Sequence, residues 1–333
     1  MRKIVAIFIV GMAIPLFFPQ PSAAQWVQTQ TAGPEGWNIT ALVVSGTNLF
    51  AGTSKGVFLS ADGGASWKAV NSGLPQESRI ECLAASGPNV FAGINGAGVF
   101  LSSDNGGSWK AVGQDRPELG SIYSLAVSRK YLVAGAFKGV FLSPDGGATW
   151  KAAKSGLPDY TWISSLYESG PNLFAGTKAH TNQGVGQSWP EINSVFLSAD
   201  GGASWKNTQA RFSSAVNCLA VSGTNLFVGT DRGLYLCSDF GNCPKAAKLS
   251  LSKDVSATFS VTSFVVIGMN LFVGTDKGVY LIKNRGLDWT TVNSGFPENV
   301  PVTCLAKLGD YLLAGTQGGV WRLPLSDLAI EKK

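Results

Sequence analysis

Side chains that could do nucleophilic or acid–base chemistry are sparse in this sequence. His180 is the only histidine, so a Ser-His-Asp arrangement would depend on it alone, and a histidine-rich metal site is impossible. Glycoside hydrolysis would need two carboxylates about 5 to 10 Å apart. The acids in candidate ligand-side loops, Glu77, Asp115, Glu118, Asp159, Glu191, Asp231, Asp276 and Glu298, are scattered along the chain, and solvation is their ordinary explanation. The glycines of Gly93 to Phe100 (GINGAGVF) imitate a phosphate loop, but the same turn recurs as GTSKGVF at Gly52 to Phe58, which removes the resemblance's force. No cofactor or metal is expected. The five cysteines separate by position: Cys237 and Cys243, six residues apart across one turn, are expected to form a disulfide, and Cys82, Cys218 and Cys304 to stay free as small packing residues.

What would position these residues is a repeat. A small or β-branched residue followed by glycine recurs at Gly52, Gly93, Gly135, Gly176, Gly229, Gly274 and Gly315, with spacings of 41, 42, 41, 53, 45 and 41. Each copy reads as a short apolar strand, a Gly/Asn turn, a second strand, a Lys-Gly-like turn, a third strand of the form Gly-Val-Phe-Leu-Ser and a Trp-led fourth strand. Four short strands at this period describe a propeller blade. Composition agrees, with 14% charged residues, 41 glycines and 10 tryptophans, as in a turn-rich all-β chain. The seventh copy stops after Val320-Trp321-Arg322-Leu323, whereas Trp26 to Pro34 (WVQTQTAGP) matches the fourth-strand text WKAVNSGLP at Trp67 to Pro75. The reading is therefore an all-β, seven-bladed propeller of four-stranded antiparallel blades over residues 25–325, closed by the N-terminal strand joining the last blade. A flexible tail is expected over 326–333.

Residues 1–24 carry Arg2 and Lys3, an apolar run and a Ser22-Ala23-Ala24 ending, and so read as a signal peptide. The expected location is secreted or periplasmic, with no stable membrane insertion after cleavage. The net charge of +5 falls to +3 without Arg2 and Lys3, and no basic block remains that could track a phosphate backbone, so nucleic acid is not an expected partner.

Between the third and fourth strands, four copies carry Ser-x-Asp-x-Gly-x-(Ser/Thr)-Trp: SADGGASW at Ser60 to Trp67, SSDNGGSW at Ser102 to Trp109, SPDGGATW at Ser143 to Trp150 and SADGGASW at Ser198 to Trp205. This motif resembles the Asp-box of the bacterial-neuraminidase-type repeat, found in sialidases, sortilin-type receptors, xyloglucanases and the photosystem II assembly factor family. The resemblance implies the propeller fold and a structural role, away from the ligand, for Asp62, Trp67, Asp104, Trp109, Asp145, Trp150, Asp200 and Trp205. It does not transfer sialidase chemistry. The Phe/Tyr-Arg-Ile-Pro signature is missing, and the arginines beyond residue 24 (Arg79, Arg116, Arg129, Arg211, Arg232, Arg285 and Arg322) show no triad with a Tyr/Glu pair. Nor is the arginine patch implied by the assembly-factor likeness apparent.

Binding residues are sought on the opposite face. The second position of each first strand is polar (Thr40, Glu81, Tyr123, Ser164, Asn217, Thr262, Thr303), a set that could ring the channel mouth. The fourth copy is longer by about 12 residues within Thr177 to Asn193, and the link before it brings two large aromatics. The candidate ligand-binding residues are Arg79, Glu81, Tyr123, Tyr160, Trp162, His180, Trp189 and Arg232. With no visible catalytic set, the expected function is a non-catalytic, monomeric module that binds or scaffolds an extracellular or periplasmic protein or glycan. The alternative is a glycoside hydrolase, sialidase- or xyloglucanase-like, with an unrecognised carboxylate pair.

Overall fold

Short runs of apolar and β-branched residues make strands here because each sheet is covered on both faces by its neighbours, and Gly and Asn make the turns between them. The computed structural model describes residues 24–29, 38–113, 119–128, 130–179, 193–239, 242–249, 258–283, 288–328 and 330. They form seven four-stranded antiparallel sheets in a ring, an all-β seven-bladed propeller. Blade 1 comprises Ile39–Ser45, Asn48–Thr53, Gly56–Ser60 and Lys68–Ala69. The first strands of blades 2 to 7 are Ile80–Ser86, Ile122–Val127, Trp162–Ser169, Val216–Ser222, Val261–Ile267 and Val302–Leu308. Each first strand touches its counterparts in both adjacent blades, all the way round, so the first strands line the axis. Among the described residues, no helix is long and apolar enough to cross a membrane.

Closure uses the other end of the chain. In the last sheet the order is Val302–Leu308, Tyr311–Thr316, Gly319–Pro324 and then Val27–Gln28, with Val27 opposite Arg322 and Gln28 opposite Trp321. Trp26 plays the part of the Trp that leads a fourth strand. Its main-chain N–H donates to Ser294 O (2.8 Å) and its Nε1–H to Val292 O (2.6 Å), just as Trp109 donates to Ser72 O (2.8 Å) and Val70 O (2.7 Å). Leu325–Asp327 forms a 3-10 turn, Leu325 N donates to Asp310 O (2.8 Å), and Leu328 and Ile330 pack onto the blade 6–7 seam because they are apolar. The expected signal peptide falls almost wholly outside the described residues.

The core is divided into seven apolar clusters, one at each seam, including that between blade 7 and blade 1. The repeated second-strand glycine is what lets blades approach there. A Cβ at Gly52 would stand 2.7 Å from Cγ2 of Ile80, and one at Gly135 2.6 Å from Cγ2 of Ile163, each at the start of the next blade's first strand. The glycine is thus required by space rather than by its backbone angle.

Strand direction assigns the loops to two faces. Links between blades and second-to-third-strand turns share the mouth face; the other two turns of each blade share the opposite face. On that opposite face the Ser-x-Asp turns repeat one clasp. In blade 1, Ser60 Oγ donates to Asp62 Oδ1 (2.7 Å) and accepts from Gly64 N (2.7 Å), while Ser66 donates its N–H to Oδ1 (2.8 Å) and its hydroxyl to Oδ2 (2.5 Å). Asp104, Asp145 and Asp200 repeat these contacts. The Ser66 hydroxyl and the hydrogen bonds that accompany it hold Asp62 down at a pKa of about 2, and Ser108 and Ser204 do the same for Asp104 and Asp200. In blade 5, Cys237 and Cys243 occupy the two serine positions and form a disulfide.

Candidate functional site

Every first strand carries a β-bulge at its second residue, or its third in blade 4, that is at Thr40, Glu81, Tyr123, Ser164, Asn217, Thr262 and Thr303. A bulge re-aims its side chain. In five blades the re-aimed group clips the next blade through the carbonyl of that blade's opening apolar residue. Thr40 Oγ1 donates to Ile80 O (2.6 Å), Ser164 Oγ to Val216 O (2.5 Å), Asn217 Nδ2 to Val261 O (3.1 Å), Thr262 Oγ1 to Val302 O (2.7 Å) and Thr303 Oγ1 to Ile39 O (2.5 Å). Glu81 and Tyr123 break this pattern. A carboxylate has no hydrogen to donate, and a phenol carries its hydroxyl past the carbonyl.

Around these two exceptions two groups of side chains form on blades 2 to 4. Glu81 Oε1 accepts from Arg79 Nε (2.8 Å) and Asn95 Nδ2 (2.9 Å), and Asn95 N donates to Arg79 O (3.1 Å). The Glu81 side chain is 18% exposed and that of Arg79 54%. Among the described residues, Glu81 Oε2, the terminal nitrogens of Arg79 and the Tyr123 hydroxyl have no protein partner. Tyr123 leans on Trp162 (centroids 4.8 Å apart, 42° between planes), Phe137 meets Trp162 edge-on (5.8 Å, 68°), and Lys178 Nζ lies 4.7 Å from the Trp162 ring centre. The arrangement offers an aromatic surface, a cation, and unfilled donor and acceptor positions side by side, as polyhydroxylated or peptide ligands require.

Of the sequence-derived candidates, Arg79 is paired with Glu81 and Tyr123 with Trp162, in two groups on neighbouring blades. Trp162 belongs to the opening of a strand, directly opposite Lys178, rather than to a loop. Tyr160 precedes it in the link, 48% exposed and at φ 56°, the left-handed conformation that Glu77 and Asn299 take in corresponding links. For a bulky residue this conformation costs roughly 1 kcal/mol. Arg232 stands apart on the blade 5 turn, where its N–H donates to Thr230 Oγ1 (3.1 Å), and no contact joins it to either group. His180 and Trp189 lie outside the described residues, as do Asp115, Glu118 and Glu191. Sequence reasoning missed Asn95, Phe137 and Lys178, although extending the Trp162 strand by one residue would have set Lys178 opposite it.

Two of the scattered acids, on neighbouring blades, share a partner. Asp231 and Asp276 meet around one residue: Ser260 donates its N–H to Asp276 Oδ1 (3.0 Å) and its hydroxyl to Asp231 Oδ1 (3.4 Å), and Asn217 Nδ2 also donates to Asp231 Oδ1 (2.7 Å). This pair lies on the mouth face of blades 5 and 6. Cys82, Cys218 and Cys304 are free, and burial pushes all three thiols up, Cys304 to about 12, with the Glu81 charge adding to the effect at Cys82. Among the described residues no three His, Cys, Asp or Glu are grouped to hold a metal ion.

No protein-family model matches the sequence, and no curated protein matches it either. Solved structures are similar in fold. YCF48 from Cyanidioschyzon merolae is 14% identical with a TM-score of 0.68, covering 90% of this chain and 98% of that one. A structure of YCF48 bound to D1 peptide gives 13%, 0.68, 96% and 100%. The extracellular domain of a putative hybrid two-component system from B. thetaiotaomicron gives 16% identity and a TM-score of 0.70 over 90% of this chain and 39% of that one. The GH74 xyloglucanase from Xanthomonas campestris gives 16% and 0.68 over 92% and 55%. At these identities the likeness is one of fold: the chain shares the propeller architecture of all three.

Proposed function

We propose that this chain is an exported, non-catalytic propeller of the Asp-box type that binds a protein or glycan at the mouth of its channel, in the sector formed by blades 2 to 4. The observation that carries this reading is the departure of Glu81 and Tyr123 from the inter-blade clip. Five blades use the bulged position to hold the ring; two adjacent blades release it, and there Arg79, Asn95, Phe137, Trp162 and Lys178 gather. Neighbours of the same fold include a protein solved with a bound peptide and an extracellular domain, which is consistent with either ligand class.

A second reading rests on the Asp231–Ser260–Asp276 grouping, which would supply the two carboxylates of a glycoside hydrolase. One experiment separates them. Purified protein lacking residues 1–24 is titrated with β-glucan and sialoside oligosaccharides and with peptides, and assayed for turnover. Saturable binding without turnover, weakened at least tenfold by Trp162→Ala, is expected. Hydrolysis abolished by Asp231→Asn or Asp276→Asn would establish the second reading instead.

A further inference from the structure

The repeat makes the seven blades comparable residue by residue, and on the rim two of them, blades 6 and 7, differ from the rest. In blades 1 to 4 the fourth strand places a lysine opposite a third-strand leucine: Lys68 opposite Leu59, Lys110 opposite Leu101, Lys151 opposite Leu142 and Lys206 opposite Leu197. Blade 5 carries Lys248 on its edge strand. Lysines on an exposed edge discourage another strand from pairing there. Blade 7 inverts the pair. Arg322 takes the third-strand position, and Val27, 54% exposed, takes the edge. Blade 6 has Thr290 at that place.

The first-to-second-strand turns change in blades 6 and 7 and also in blade 3, where Ser128-Arg-Lys-Tyr131 places a tyrosine that is half-buried on the blade 3–4 seam. Blades 1, 2, 4 and 5 read Ser-Gly-(Thr/Pro)-Asn there, and Ser45 Oγ of blade 1 donates to Gly87 O of blade 2 (2.7 Å). Blade 6 reads Ile267-Gly-Met269-Asn and blade 7 Leu308-Gly-Asp-Tyr311. Met269 is 56% exposed and Tyr311 37%, so three of the four large exposed hydrophobic residues described, Val27, Met269 and Tyr311, lie on these two blades. Arg322 lies over the Tyr311 ring at 5.4 Å and has no ion pair among the described residues. An edge that no described residue covers, exposed apolar side chains and a guanidinium on tyrosine with no ion pair among the described residues match the composition of protein contact sites.

We infer that the outer edge of blade 7 is a second docking surface, which takes an extended segment of another protein, apolar and acidic, laid beside Val27–Gln28 as a fifth strand. Edge addition supplies main-chain hydrogen bonds, an apolar side chain of the segment covers Val27, and a carboxylate pairs with Arg322, which Tyr311 holds beneath it and which no acidic group of the described chain neutralises. With the mouth of blades 2 to 4, the molecule then has two separate contact surfaces and joins two partners.

The test uses the full mature chain and two defined fluorescent peptides, one alternating valine and glutamate, the other alternating valine and lysine. Val27→Lys copies the edge residue of blades 1 to 4, and Tyr311→Asn copies the residue of blades 1, 2, 4 and 5, so both variants keep side chains the fold already accepts. The expected result is at least tenfold preference of the wild type for the valine–glutamate peptide, loss of that preference in each variant whose thermal melt matches the wild type, and no effect of Trp162→Ala. Equal binding of the two peptides, undiminished binding by Val27→Lys, or self-association of the wild type that blocks the peptide would each overturn the inference.

Discussion

Asp62, Asp104, Asp145 and Asp200 each hold a turn by accepting hydrogen bonds through both carboxylate oxygens, and the hydroxyl and amide donors facing them lower the pKa of every one. A carboxyl group whose pKa is depressed on folding stabilises the native state above its unfolded value, close to 4, and loses that contribution as the pH falls through the folded value. For Asp62, Asp104 and Asp200 the folded value is about 2. The melting temperature should therefore decline between pH 4 and pH 2. Asp104→Asn should lower it at pH 6 and make the decline shallower, as measured by circular dichroism melts across that range; an unchanged slope would show that the clasps do not set acid stability.

Among the elements, the fifth hairpin shows how one job is done by two chemistries. Ser60 and Ser66 are tied through the carboxylate of Asp62, whereas Cys237 and Cys243, at the same two positions, are tied covalently. A disulfide closing so short a loop contributes about 2 kcal/mol. Because Asp239 remains in place, replacing both cysteines by serine restores the text Ser-x-Asp-x-Gly-x-Ser. The double serine variant should retain more stability than the double alanine variant, as read from urea midpoints; equal loss in the two would show that the clasp is not rebuilt. Strands, turns and closure were legible in the sequence because seven copies average out the ambiguity of any one. The site was less legible. Trp162 read as a loop residue because strand ends are uncertain by a residue or two, and the meeting of Asp231 with Asp276 depends on Ser260, a link residue whose contacts run between blades. Glu81 is legible as a charge in a polar ring, whereas the inter-blade hydrogen bonds of the other five positions depend on contacts between blades that the sequence does not show.

For the whole molecule, the ring is rigid because each blade is sealed to the next by an apolar seam and, at five of seven places, by a clip at the mouth. In the remaining two the bulged side chain does not bridge the blades, although Ser124 Oγ still accepts from Leu166 N (2.8 Å) across the blade 3–4 seam. The most direct measurement replaces Glu81 and Tyr123 together by threonine, giving both blades the clip of Thr40, Thr262 and Thr303, and compares glycan-array and peptide binding of this variant with the wild type. Each new hydrogen bond contributes roughly 1 kcal/mol, so the expected variant melts at or slightly above the wild-type temperature and has lost its mouth-face ligand. A variant that folds equally well and binds with undiminished affinity would contradict the assignment of blades 2 to 4 as the binding sector.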